Sequence, residues 1–116
     1  MAVKQEVIKS FNVQLWCGLK EGYDGPLHSL QEVEELCQVF VDEKKDCITI
    51  TPTTFVYTQG KEPGVIIGWI AYPRFPNTES EIISRAKDLA NILMNALKQN
   101  RVTITTPQES IMLEKQ

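Results

Sequence analysis

The chain has 116 residues, 42% of them hydrophobic, and a net charge of -3 with a sequence pI near 5.2. That length suits one domain around a single core, read as 1–116 with tails at 1–10 and 108–116. The acidic balance gives no cationic field for long nucleic acids or anionic membranes, and no segment approaches the roughly 18 apolar residues of a membrane span. Cys17, Cys37 and Cys47 are odd in number and lack C-x-x-C spacing, so they read as free thiols of a reducing cytoplasm rather than a disulfide frame or zinc knuckle.

The first strand is expected over 11–18, where Phe11, Val13 and Leu15 alternate with Asn12, Gln14 and Trp16. After a glycine-rich loop, Ser29 and Glu32 have capping-box spacing, and Leu30, Val33, Leu36, Cys37, Phe40 and Val41 form one helical stripe. The run "DEKKD" reads as a solvated helix end and turn. "CITITPTTFVYTQG" is a second strand whose Pro52 lacks a ladder donor, which assigns it to an edge or a bulge. "TQGKEPG" reads as a turn, with "EPG" its rigid part. "VIIGWIAY" is apolar at nearly every position, as in a central strand buried on both faces. Thr78 and Glu81 form a second capping box, opening a helix that ends near Asn100. "RVTITT", stopped by Pro107, is the last strand and an expected edge, and "SIMLE" is either a short continuation or a tail.

The order βαββαβ is that of the ferredoxin-like split motif. An α+β sandwich follows, with a four-stranded antiparallel sheet in the order 4-1-3-2 and both helices on one face. This topology gathers the loop after strand one, the second hairpin and the turn before strand four at one end of the sheet. Tyr23, Asp24, His28, Ser29, Lys61, Glu62 and Arg101 collect there, beside the free N–H groups of the first helix. The opposite end carries "YPRFPNT", with Arg74 held between Tyr-Pro and Phe-Pro pairs next to Phe75. Each feature has a plain structural reading as well: Asp24 and the flanking glycines suit a turn, and His28 suits a hydrogen-bonded loop residue.

No phosphate-binding loop, dinucleotide fingerprint, H-E-x-x-H or nucleophile elbow is present, so no cofactor or metal is expected. The leading reading is a non-enzymatic module for a small anionic, nucleotide-like ligand. Lys61 and Arg74 would meet phosphate, Tyr23 and Phe75 would stack on a base, and Asp24, His28, Ser29 and Arg101 would complete the site. The alternatives are an enzyme using His28, with Asp24 nearby, as general acid or base for phosphodiester cleavage or isomerisation, and a protein-binding adaptor. Two helices cover one sheet face only. Trp16 and Trp69 are expected on the bare face, which favours a homo-oligomer with pockets shared between subunits.

The pattern "GYDG…H…TPT…Y…EPG…YPRFP" on such a frame resembles small proteins of tailed phages and prophages. The resemblance implies a phage setting, and includes oligomeric sponges that capture the nucleotide signals of bacterial immunity.

Overall fold

The structure of the protein, a computed structural model, describes residues 2–116. Five strands and two helices follow one another as β1 (Asn12–Gly18), α1 (Leu30–Lys44), β2 (Thr49–Tyr57), β3 (Gly60–Ile70), α2 (Glu79–Ala96), β4 (Arg101–Thr105) and β5 (Ser110–Glu114). All neighbouring strands are antiparallel, in the order β2-β3-β1-β4-β5. The first four keep the expected order, read from the other edge. The expectation of four strands is corrected by β5: the 108–116 segment is no tail, because Ser110–Glu114 pairs along all of β4. Pro107 therefore stands in a hairpin turn instead of on an edge strand. There the Thr106 hydroxyl accepts from the N–H groups of Gln108 and Glu109, so the side chain closes the turn that proline permits.

Pro52 does lie on an edge, since β2 has β3 as its one neighbour. The hairpin joining them is tighter than the expected seven-residue turn. Only Thr58 and Gln59 turn, Gln59 with φ 64, and Glu62 and Pro63 lie within β3. Both helices open on caps. Thr78 and Glu81 exchange hydrogen bonds in a full capping box. At α1 only half the box forms: the Ser29 hydroxyl accepts from Glu32 N–H, while the Glu32 carboxylate turns to His28. A left-handed Lys45, φ 58, stops α1.

One sheet face forms the core. Val13, Leu15 and Cys17 of β1, Val65, Ile67 and Trp69 of β3, and Val102 and Ile104 of β4 meet Val33, Cys37 and Phe40 of α1 and Ile82, Ala86, Leu89 and Leu93 of α2. Burying each large aliphatic side chain contributes about 1.5–3 kcal/mol, so this layer holds the helices to the sheet. Trp69 belongs to it, which corrects its expected place on the bare face. Trp16 alone of the two tryptophans faces away from the helices. No helix among the described residues is long and apolar enough to cross a membrane.

Candidate functional site

Strand register builds a cleft on the open sheet face. Trp16 stands opposite Ile66 and Thr103, Phe55 opposite Glu62, and Gly18 opposite Gly64. Strand alternation puts Trp16, Phe55, Glu62 and Thr103 on the same side. Gly18 lines the floor, and Gly64 lies beneath the Phe55 wall. A Cβ on Gly64 would lie 2.1 Å from the Phe55 ring, so this ring rests directly on the β3 backbone. A Cβ on Gly18 would meet Gln99 Oε1 at 2.9 Å and Glu62 Oε1 at 3.4 Å, so its absence brings the Glu62 carboxylate down to the floor. Trp16 Nε1 donates to Thr105 Oγ1 at 3.0 Å, which satisfies the indole and fixes its ring.

The resulting space is about 460 Å³, within the range of small-molecule sites. Its rim adds Lys20, Tyr23, Lys98 and Arg101. Gln99 Nε2 donates to the Lys20 carbonyl at 2.9 Å and ties the loop after β1 to the turn before β4. Arg101 is partly committed through Nε to Glu114 of β5. Aromatic walls, one carboxylate and several cations thus surround one floor.

The "GYDG" loop is a short antiparallel excursion. Lys20 bridges Leu27, and Glu21 N–H and His28 N–H donate to the carbonyls of Pro26 and Leu19. A Cβ on Gly25 would fall 1.9 Å from the Glu21 carbonyl oxygen, so only glycine closes this turn. Tyr23 and Asp24 occupy its tip, with Tyr23 89% exposed and positioned at the cleft edge. His28 is turned elsewhere. Its Nε2 lies 2.8 Å from Glu21 Oε1 and its Nδ1 2.9 Å from Glu32 Oε2, and the side chain is 15% exposed. The Glu32 hydrogen bond, followed by that of Glu21, raises its pKa above 6.5 against the opposing effect of burial. Both ring nitrogens are occupied, and the residue latches the loop to α1.

The remaining anticipated residues are spread out. Ser29 caps α1. Lys61 alternates with Glu62 and points to the opposite side of β3 from the cleft. Arg74 and Phe75 lie at the far end of the sheet, the guanidinium 5.8 Å from the ring centroid. There Phe75 borders a second cavity, beside Trp69, Tyr72 and Arg85. Asp46, the last residue of "DEKKD", is no solvated turn residue: its side chain is 7% exposed and accepts from Trp69 Nε1 at 2.8 Å and Arg85 Nε at 3.1 Å. Burial pushes the Cys17 thiol up to about 12 and that of Cys37 up to about 11, which suits packing and not nucleophilic attack.

Sequence reasoning placed Glu62 and Arg101 at this end of the sheet but did not single out Phe55 and Thr103, and it assigned Trp16 to assembly alone. The alternation Thr51, Thr53, Phe55 against an outward Trp16 was the available signal.

No family model and no curated protein matches the chain. Solved structures that share its fold include two of a phage SAM lyase. A phage SAM lyase in the apo state superposes with a TM-score of 0.83 at 16% identity, over 99% of this chain and 98% of that one. The phage SAM lyase in complex with S-methyl-5'-thioadenosine gives 0.80 at 16% identity, over 99% and 97%. The structures that this protein resembles are thus phage proteins, in keeping with the resemblance seen in its sequence.

Proposed function

We propose that the cleft binds S-adenosylmethionine or a related 5'-thioadenosine, and that the protein cleaves S-adenosylmethionine to S-methyl-5'-thioadenosine. The observation that carries this reading is the Glu62 carboxylate reaching toward Gly18 in a cleft that the Trp16 and Phe55 rings also line. Aromatic faces suit both the adenine ring and the sulfonium cation, and a nearby carboxylate adds attraction for a cation. Lys20 and Arg101 at the rim suit the ligand's own carboxylate. The whole-length likeness to the phage lyase adds support from fold alone. This refines the anticipated anionic ligand, because the cleft offers both signs of charge.

Cleavage breaks the bond between sulfur and the amino-acid side chain. The bonding pair stays on sulfur, which passes from sulfonium to neutral thioether. The departing four-carbon fragment balances its charge by losing a proton or by closing on its own carboxylate. Glu62 is the cleft carboxylate able to hold the substrate's cationic part. His28 takes no share in this chemistry, since Glu21 and Glu32 occupy its ring.

The open face also exposes Ile70 and Met112 beside Trp16, Phe55 and Ile66. A second copy laid on this face would shelter it and wall the cleft. Light scattering is expected to give a multiple of 13.2 kDa, and a clean monomer at tens of micromolar contradicts the shared pocket.

The function itself is tested by incubating the protein with S-adenosylmethionine and separating the products. S-methyl-5'-thioadenosine should accumulate, and Glu62→Gln should slow its formation by about 100-fold. Binding without turnover would instead support sequestration of the ligand. A ligand at 100 times its Kd would then stabilise the fold by about 2.7 kcal/mol. The absence of both turnover and stabilisation would overturn the proposal.

A further inference from the structure

The second cavity, about 300 Å³, lies at the far end of the sheet, between the start of β2, the end of β3 and the first turns of α2. Glu62, which lines the cleft, is seven residues before Trp69, so about 23 Å of strand separates these two residues. The two places also open on opposite faces of the sheet, because Trp69 points to the helices and Trp16 away from them.

Asp46 organises this cavity. Its Oδ2 accepts from Trp69 Nε1 and Arg85 Nε, and its Oδ1 accepts from Cys47 N–H at 2.9 Å. The carboxylate is thereby fully engaged, and one edge of the Arg85 guanidinium is pinned. Among the described residues, the Arg85 Nη nitrogens have no protein acceptor, and the side chain lines the cavity at 20% exposure. A guanidinium fixed through Nε presents its outer Nη pair as a ready fork, the geometry that receives a carboxylate with two parallel hydrogen bonds. Lys45 adds a second cation at the rim. Glu81, one turn before Arg85, is committed to the Thr78 N–H.

The walls are apolar and aromatic. Trp69, Tyr72 and Phe75 surround the space, with Ile70 and Ile82 beside them. Phe75 is 64% exposed, so apolar surface stands open to water beside an oriented cation. Arg74 stacks on Phe75 and steadies that wall.

We propose that this cavity is a second ligand site, selective for a small carboxylic acid with a flat apolar body, its carboxylate on the Arg85 Nη pair and its body among Tyr72, Phe75 and Trp69. The site is independent of the cleft, and the two tryptophans report the two places separately. In a titration of the 15N-labelled protein with phenylacetate, the Trp69 indole N–H signal should move saturably with a Kd of about 1 mM, while that of Trp16 stays in place. The uncharged analogue phenylacetamide should bind at least about tenfold more weakly, because it cannot receive the fork as an anion. Arg85→Gln should remove the response. Phe75→Ala, at an exposed position that spares the core, should weaken it about fivefold with the Trp69 signal otherwise unchanged. The proposal is overturned by a Trp69 signal that fails to saturate by about 50 mM. Equal affinity for phenylacetamide, or undiminished binding by Phe75→Ala, overturns it as well. None of these outcomes bears on cleavage in the cleft.

Discussion

The two tryptophans stand on adjacent strands, three positions apart in register, yet they do opposite work. Trp69 points into the helix layer and gives its N–H to Asp46, which also holds Arg85 of α2 and the backbone at the start of β2. Trp16 points to the open face and gives its N–H to a threonine hydroxyl. The first is locked by a nearly buried charge that three segments share. The second is fixed by a single hydrogen bond with its ring on the open face. An indole is thus made structural or available by what its N–H meets and by which sheet face carries it.

The contrast is broken most severely at Asp46. Asp46→Ala leaves the Trp69 donor and the Arg85 cation without their acceptor, and removing one partner of such a pair costs about 3–5 kcal/mol. A Tm lower by about 10 °C or more in thermal denaturation is expected. The open end gives a smaller loss of stability and a larger loss of function. Gly64→Val forces Phe55 off the β3 backbone, at a cost of about 1–3 kcal/mol in stability, and should abolish nucleoside binding in calorimetry while the protein remains folded.

The smallest effect belongs to the His28 latch. Its pKa in the folded protein is raised, chiefly by the Glu32 hydrogen bond. The contribution is therefore fully present below the unfolded value of about 6.5 and is lost as pH rises through the raised folded value. The Tm difference between the wild type and His28→Gln should be largest below about pH 6.5 and shrink as the pH rises above it. A difference that widens with pH would contradict the doubly hydrogen-bonded imidazolium.

Local rules made most of the fold legible. Alternation in β1, two capping sequences and Pro52 located four strands and two helices, because each depends on residues close in sequence. β5 escaped because "SIMLE" is five residues long with a weak alternation, and its pairing depends on a turn closed by the Thr106 side chain. The hairpin was drawn too long because Pro63 reads as a turn residue, although it lies within β3, opposite Thr54 of β2, and its carbonyl accepts from Leu19 N–H just past β1. At the site, topology brought Tyr23, Glu62 and Arg101 to one end. What could not be read was direction. Glu62 faces the cleft and Lys61 the opposite side by strand parity alone, and that parity depended on where β3 begins. His28 was conspicuous as the single histidine, yet its two carboxylate partners lie seven residues before it and four after it, where loop closure decides the contact.

The most direct test of the cleft uses both indoles at once, with S-methyl-5'-thioadenosine titrated into the 15N-labelled protein. The account predicts a saturable change at the Trp16 indole N–H and none at Trp69. A change at Trp69 with Trp16 unmoved, or no change at either, would contradict it.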